Sequence, residues 1–136
     1  MVNANVRMLS RLMLASVVFL GVTVGAQSQP TYLKDKELRA ALEDYTLIAQ
    51  NWAEYYAADG TIKGKARQFG FVRTYDASWK VADDTVSYDY EGTAFDTASH
   101  LSLTGDTVRH FTLAGAPKTD GVARRVKGNQ IASALQ

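Results

Sequence analysis

Residues 83–90 read DDTVSYDY and combine a tight turn with a strand of alternating character. Asp tolerates the positive φ angles that tight hairpins need, and apolar side chains then occupy every second position from Val86 to Tyr90. The same order of two turn residues, Thr and a β-branched residue recurs at residues 59–62 (DGTI) and 105–108 (GDTV). Turns that recur at this spacing predict successive antiparallel hairpins, as in an up-and-down meander.

The alternation extends to neighbouring segments and predicts a mainly β protein. Trp79 lies between Ala77 and Val81 on one face of a predicted strand, and polar side chains occupy the other face. The predicted strands cover residues 52–57, 61–68, 69–75, 77–81, 85–90, 99–104, 107–114 and 122–126. We therefore expect a small antiparallel up-and-down meander or barrel of about six to eight strands, whose interior holds either packed side chains or one small ligand.

One helix is predicted before the strands. Asp35 is the predicted capping residue, because a short acidic side chain can accept hydrogen bonds from the first turn. The apolar residues that follow recur at helical spacings and form one stripe, at Leu38, Ala41, Leu42 and Tyr45. We expect this helix to cover one side of the curved sheet.

The first 26 residues have the layout of a secretory signal peptide. Arg7 and Arg11 precede an uncharged run, 12–26, which ends in small residues. A basic start, a short apolar middle and small residues before the cut are typical of such a signal, whereas a spanning helix needs about 20 apolar residues. We predict a signal peptide at 1–26, a linker at 27–34 and a single β-rich domain at 35–136, located in the periplasm or secreted. The alternative is an uncleaved N-terminal anchor.

Charge and cysteine content narrow the classes of partner. The chain carries 15 basic and 14 acidic residues. Removing Arg7 and Arg11 with the signal peptide leaves 13 basic residues against 14 acidic ones, a net charge of −1. Such a balance does not favour nucleic acid or an anionic membrane as partner, and no membrane span is expected after cleavage. The chain has no cysteine, so packing alone must stabilise the domain.

Residues 52–64 (WAEYYAADGTIKG), 78–81 (SWKV) and 88–90 (YDY) resemble a known group of sequences. The group comprises small exported proteobacterial proteins classed as a domain of unknown function, and the resemblance covers about residues 35–130. It implies a bacterial periplasmic setting and a calycin-like β meander after one helix. The group often has Gly before the second tryptophan and Cys in the next strand, where this chain has Ala77 or Ser78 and Ser87. No activity is established for the group, so the resemblance assigns no functional residue.

The sequence contains no catalytic or metal-binding motif. If Thr104 pairs with Thr107 across the turn, His110 lies opposite Leu101, and His100 then points to the other side of the sheet. A shared metal site is not expected from that register, and there is neither a Gly-x-Ser-x-Gly elbow nor a cysteine nucleophile. We therefore predict no catalytic residue, no metal and no cofactor.

Inward-facing aromatic residues are the strongest candidates for a binding site. They share the predicted interior with one carboxylate and one guanidinium, and together could line a pocket at the barrel mouth. The candidate residues are Trp52, Glu54, Tyr56, Arg73, Tyr75, Trp79, Tyr88 and Tyr90. The alternative is that these side chains simply fill the core.

These observations favour an exported, non-catalytic binding or interaction module. Its expected partner is an unknown small molecule, apolar or aromatic, or a component of the cell envelope. A first alternative is a small α+β cone of the nuclear-transport-factor-like type, acting as an enzyme or binding protein. A second alternative is a structural envelope protein that acts through an edge strand.

Overall fold

The computed structural model of the chain describes residues 30–136. The predicted signal peptide, 1–26, and the first part of the predicted linker lie outside the described residues. One helix, α1 (Asp35–Leu42), precedes eight strands. The strands are β1 (Tyr45–Ile48), β2 (Trp52–Tyr56), β3 (Thr61–Gln68), β4 (Phe71–Ala82), β5 (Thr85–Asp89), β6 (Thr97–Thr104), β7 (Thr107–Phe111) and β8 (Pro117–Lys127).

The eight strands form a closed antiparallel barrel in chain order. The first and last strands complete the ring, because β1 pairs with β8 from Tyr45 opposite Lys127 to Ile48 opposite Arg124. The prediction of a mainly β fold with one helix is thus confirmed. Of the two predicted forms, an open meander or a barrel, the structure is the barrel. It is not the α+β cone of the alternative interpretation, since the only helix of the described residues has eight residues.

The hairpin signals are at the turns where the sequence predicts them. Asp83 and Asp84 have φ angles of 53° and 58°, as a two-residue turn with two left-handed positions requires. Gly60 and Gly105 also have positive φ, at 91° and 58°. The pairing of Thr104 with Thr107 is confirmed as well, and the chemistry of these turns therefore sets the register of the strands that they join.

Two strand assignments differ from the sequence prediction, although the total of eight agrees. The segment Tyr45–Ile48 is a strand that was not predicted, because it has only four residues and Tyr45 continues the apolar stripe of the predicted helix. Residues 71–82 form one strand instead of two. This strand is continuous because its first part pairs with β3 and its last part, from Ser78, pairs with β5.

The helix begins and ends differently from the prediction. Lys34 occupies the cap position without a side-chain hydrogen bond, so the prediction of Asp35 as the cap is wrong. The Asp35 carboxylate instead accepts a hydrogen bond from the backbone N–H of Asp84 at 2.6 Å, and the Asp35 N–H donates to the Asp84 carboxylate at 3.0 Å. Tyr45 lies in β1, so the helical stripe ends at Leu42. Paired hydrogen bonds thus attach α1 to the β4–β5 turn.

The barrel has two unlike ends. We call the end with α1 and the turns at 57–60, 83–84 and 105–106 the closed end, and the opposite end the open end. Leu38 and Leu42 of α1 are fully buried and belong to the same core cluster as Trp79 and Val86. The helix α1 therefore covers the barrel interior at the closed end, and the open end has no such cover among the described residues. Within residues 30–136, no helix is long and apolar enough to cross a membrane.

At the open end, the β3–β4 hairpin extends beyond the barrel wall. β2 pairs with β3 only as far as Ala66, and β4 meets β5 only from Ser78 onward. Residues 67–72 therefore form a two-stranded projection beyond β2, and residues 71–77 of β4 leave their other edge unpaired. The tip of this projection is apolar and exposed, with Phe69 at 96% and Phe71 at 71% exposure.

Candidate functional site

A pocket of about 260 Å³ lies inside the barrel at the open end. β2 runs from Trp52 at this end to Tyr56 deeper inside, and Glu54 lies between them on the same inward face. We call this cavity the open-end pocket. The remaining lining residues are Tyr75, Tyr88, Tyr90, Thr97, Ser99, His110, Lys118, Thr119, Asp120 and Gly121.

The Glu54 carboxylate is the centre of a hydrogen-bond network made by tyrosines. Its Oε2 accepts the hydroxyl of Tyr56 at 2.6 Å, and its Oε1 accepts the hydroxyls of Tyr75 at 2.7 Å and Tyr90 at 3.0 Å. Glu54 is only 4% exposed. None of the ion pairs formed within residues 30–136 involves it. The charge is therefore held by neutral donors rather than by a cation.

Gly64 makes this network possible. In the sheet register, Gly64 lies between Glu54 on one side and Tyr75 on the other, across three adjacent strands. A Cβ added at Gly64 would overlap the ring of Tyr75. The missing side chain lets the Tyr75 ring lie across β3, so that its hydroxyl reaches a carboxylate two strands away. Gly64 thus permits a close approach, and the bend or bulge that a strand glycine often marks is not found in this register.

The tyrosines of the pocket are held in the protonated form. Burial first, and the Glu54 charge second, raise the pKa of Tyr75 and Tyr90 far above the ordinary value. The same two causes raise the pKa of Tyr56 and Tyr88. An ionised phenol beside a buried carboxylate would add a second negative charge. These hydroxyls therefore remain hydrogen-bond donors throughout the physiological range.

Two buried hydroxyls in the pocket have no hydrogen-bond partner among the described residues. They belong to Tyr88, on β5, and Ser99, on β6. The Tyr88 ring stacks on Tyr90 with 5.8 Å between ring centroids and meets the edge of Tyr56 at 6.5 Å. The hydroxyls of Ser99 and Tyr56 are nevertheless close enough to lower the pKa of Tyr88 slightly against the larger effect of burial. The Tyr88 and Ser99 hydroxyls therefore form a weakly bonded polar pair on the pocket wall, and a bound molecule can give either of them a better partner.

His110 contributes an acceptor to the same cavity. Its Nδ1 lies 2.9 Å from the backbone carbonyl of Gly121, and a carbonyl can only accept, so Nδ1 carries the proton. Burial lowers the pKa of His110 to about 4, which leaves the imidazole neutral at neutral pH. The ring meets Trp52 edge to face at 5.6 Å. Nε2 is then the acceptor nitrogen of this ring.

The first residues of β8 form the rim of the pocket. Lys118 donates from Nζ to the carbonyl of Ala98 at 2.8 Å, and burial lowers the pKa of Lys118. The carbonyl of Asp120 accepts the indole N–H of Trp52 at 2.8 Å. These contacts place the Lys118 ammonium and the backbone of Asp120 at the pocket mouth, far apart in sequence from Glu54.

The structure brings six of the eight predicted site residues to this pocket. They are Trp52, Glu54, Tyr56, Tyr75, Tyr88 and Tyr90. Trp79 instead belongs to the closed end, where its indole N–H donates to the carbonyl of Ala57 at 2.9 Å. Arg73 is exposed on the part of β4 that does not pair with β5, so the prediction of a buried arginine is wrong. Its position faces inward by alternation, but it lies beyond the point where β4 pairs with β5.

Sequence reasoning missed the β6, β7 and β8 side of the pocket. Ser99 and His110 are both buried inside the barrel, and the confirmed register places His110 opposite the buried Leu101. That register was the signal that could have identified them as inward-facing. Lys118 and Gly121 carried no signal, because the predicted last strand began at Val122 while β8 begins at Pro117.

A second cavity, a groove of about 560 Å³, lies outside the barrel between the β3–β4 hairpin and residues 129–132. Its charged residues Lys63 and Asp76 already pair with each other at 2.7 Å. No unpaired buried side-chain atom of the described residues belongs to its lining. The groove is larger than the open-end pocket but offers a ligand less specific chemistry.

Residues 30–136 do not bring three His, Cys, Asp or Glu side chains together in an arrangement that could hold a metal ion. No model of a known protein family matches the chain. A search of curated proteins also found no significant match.

Proposed function

We propose that this protein is an exported, non-catalytic binding module that holds a small molecule in the open-end pocket. The observation that carries the proposal is a cavity with aromatic walls that also presents two buried hydroxyls, of Tyr88 and Ser99, neither of which makes a well-formed hydrogen bond. Buried polar groups normally have partners, and a bound molecule would supply them. Ligand pockets typically combine apolar and aromatic walls with a few polar groups of this kind.

The size of the cavity limits the ligand. At about 260 Å³ the pocket is slightly smaller than the range of about 300 to 1,000 Å³ that accommodates drug-sized molecules. The walls present the rings of Trp52, Tyr75 and Tyr90. A compound with one aromatic ring or a short branched chain fits this combination of volume and surface.

The same geometry argues against a hydrolytic role. Ser99 and His110 share the pocket, but the Ser99 hydroxyl has no hydrogen-bond partner within residues 30–136. A serine nucleophile needs an adjacent base within hydrogen-bond reach. The pocket therefore offers binding groups rather than an activated nucleophile.

A ligand screen on the protein, expressed with its own N-terminal segment, tests the proposal. Small aromatic and amphiphilic compounds are screened by ligand-observed NMR and thermal shift. Ser99→Leu, which fills the pocket and removes one free hydroxyl, should abolish binding of the compounds found. Ser102→Leu is the matched control, because Ser102 alternates with Ser99 and Leu101 along β6 and faces outward. Equal binding by both variants, or no binding by any compound, would contradict the pocket proposal.

The proposed location is the periplasm or the exterior of the cell. Its support is the order of basic, apolar and small residues in 1–26. Cell fractionation and mass spectrometry of the purified protein test it. A mature chain that begins at Gln27 is the expected result, whereas full-length protein in the cytosol would contradict export.

The projecting β3–β4 hairpin supports a second candidate function, that of a structural component of the envelope. Its β4 edge is unpaired and its tip exposes Phe69 and Phe71. Unpaired strand edges are templates for pairing with another chain. A photo-crosslinking residue at position 69 should then capture an envelope component in cells, while the same residue at position 113, in another exposed loop, should not.

A further inference from the structure

The open-end pocket contains a carboxylate without a counter-ion. Glu54 is buried and accepts hydrogen bonds from three neutral hydroxyls, but it forms none of the ion pairs of residues 30–136. Burial of a charge is costly unless it is both hydrogen-bonded and paired with an opposite charge. Glu54 is hydrogen-bonded, but no opposite charge among residues 30–136 is paired with it.

The other ionisable groups of the pocket do not neutralise Glu54. His110 is neutral at neutral pH because burial lowers its pKa to about 4, and its Nδ1–H donates to the carbonyl of Gly121, which leaves Nε2 as an acceptor. Lys118 provides one positive charge at the rim, but its ammonium donates to the carbonyl of Ala98, and none of the ion pairs within residues 30–136 joins it to Glu54. The buried carboxylate therefore keeps an unpaired negative charge inside the pocket, which repels an anion and attracts a cation.

The walls around Glu54 suit a cation in a second way. Tyr56, Tyr75 and Tyr90 hold their hydroxyls against the carboxylate, and Tyr88 stacks on Tyr90 beside them. The faces of such rings carry negative charge density and attract ammonium groups, especially in desolvated sites. The tyrosine rings and the Glu54 carboxylate thus attract the same ammonium group of a ligand.

We propose that the open-end pocket takes a small organic cation, an amine or a quaternary ammonium compound, with its nitrogen beside the Glu54 carboxylate and the tyrosine rings. This inference rests on the proposed binding function and names the chemical class of its ligand. The free hydroxyls of Tyr88 and Ser99 supply hydrogen bonds for a hydroxyl on the same molecule. Amino alcohols combine both features in a volume that the cavity accommodates.

Matched probes separate charge from shape. Choline and 3,3-dimethylbutan-1-ol have the same branched shape and the same hydroxyl, but only choline is charged. Benzylamine and benzyl alcohol form a second pair. Calorimetric titration of the full chain should show at least tenfold tighter binding of the cation in one pair or both. A lack of preference in both pairs would overturn the inference.

Variants test the source of the preference. Glu54→Gln keeps the size of the side chain and one acceptor oxygen but removes the charge, so the cation should lose at least tenfold in affinity while the neutral alcohol loses none. An equal loss for both probes would contradict a charge-specific role. Circular dichroism checks that the variant folds.

A second variant does not alter Glu54. Lys118→Met removes the positive charge at the rim and should increase the affinity for the cation a few-fold, without a change for the alcohol. Lys80→Met is the matched control, because Lys80 lies outside the barrel with its ammonium over the Phe95 ring. Unchanged cation affinity in Lys118→Met would overturn the electrostatic argument.

The outcomes for the two proposals can be told apart. If neutral and charged probes bind equally, and Ser99→Leu abolishes both, the cation inference fails and the binding function stands. If neither the probes nor any compound of the broader screen binds, both proposals fail together.

Discussion

The two ends of the barrel are built from the same eight strands and yet have opposite chemistry. At the closed end, Leu38 and Leu42 of α1 pack with Trp79 and Val86 in a buried apolar cluster. At the open end, the same inward face carries a carboxylate, tyrosine hydroxyls, a serine and a histidine around a cavity. Alternation determines which side chains point into the barrel. The difference between the ends shows that an inward-facing side chain can either pack in the apolar core or line a polar cavity.

The two ends of the barrel also differ in how they contribute to the stability of the fold. Apolar burial at the closed end stabilises the fold, at about 25 cal/mol for each Å² of apolar surface removed from water. At the open end, by contrast, buried hydroxyls without partners and a carboxylate without a counter-ion cost free energy. Structures often carry such costs at functional sites. The comparison therefore predicts that substitutions at the two ends have different, and in one case opposite, effects on stability.

The largest expected effect comes from a cavity at the closed end. Leu42→Ala should lower the free energy of unfolding by about 3 to 4 kcal/mol, because Leu42 is fully buried and the space cannot collapse completely. Urea unfolding measures the change as a shift in midpoint. Leu113→Ala, at an exposed leucine, should change it by less than about 0.5 kcal/mol. Similar losses of unfolding free energy in the two variants would contradict the assignment of the apolar core to the closed end.

The pH dependence of stability should reveal the buried histidine of the open end. The pKa of His110 is lowered to about 4 in the folded protein, against about 6.5 in an unfolded chain. Between these values the unfolded state binds more protons, so stability is complete above about pH 6.5 and decreases as the pH falls towards 4. The loss over this window is about 3 kcal/mol.

His110→Gln isolates this contribution from the titration of the carboxylates. Urea unfolding at several pH values from 4 to 7 should show a flatter dependence in this variant than in the wild type. His100→Gln is the control, because His100 lies on the outer face, stacked on Tyr32 at 4.6 Å. An identical pH dependence in wild type and His110→Gln would contradict the buried, neutral histidine.

A smaller loss is expected from Gly64→Ala at the open end. The new methyl group must displace the Tyr75 ring from β3, which should cost about 2 kcal/mol. The same substitution in a Tyr75→Ala background should cost much less, because the ring is then absent. A double-mutant cycle by urea unfolding measures this coupling. Additive losses would mean that Gly64 serves another purpose.

The smallest effects distinguish a partnered from an unpartnered hydroxyl within the same pocket. Tyr56→Phe should lower stability by about 1.5 kcal/mol, because Glu54 loses a charge-assisted hydrogen bond. Tyr88→Phe removes a buried hydroxyl without a partner and should leave stability unchanged or raise it by up to about 1 kcal/mol. Chemical unfolding compares the two, and equal losses would contradict the distinction between them.

Local patterns predicted much of the fold and part of the candidate site. The Asp83-Asp84 turn was predictable because its residues tolerate the backbone angles that the hairpin needs, and β5 follows from strict alternation. β1 was missed because it has only four residues and its first residue, Tyr45, continues the apolar helical stripe, although Asp44 before it has a positive φ of 62°. Glu54, Tyr56 and Tyr88 were identified as inward-facing from the same alternation. Arg73 was misplaced because alternation specifies a face but not where the neighbouring strand ends.

By itself, the sequence determined that the protein is mainly β and which side chains of each predicted strand share a face. Both depend on turn residues and on a period of two, which are local properties of the chain. Only the tertiary structure decided that the ring closes through β1 and β8, that α1 covers one end, and that the hydroxyl of Tyr90 reaches Glu54, 36 positions away in the chain. Those contacts depend on pairing between distant strands, and it is closure of the barrel that brings an isolated carboxylate and its tyrosines together in one pocket.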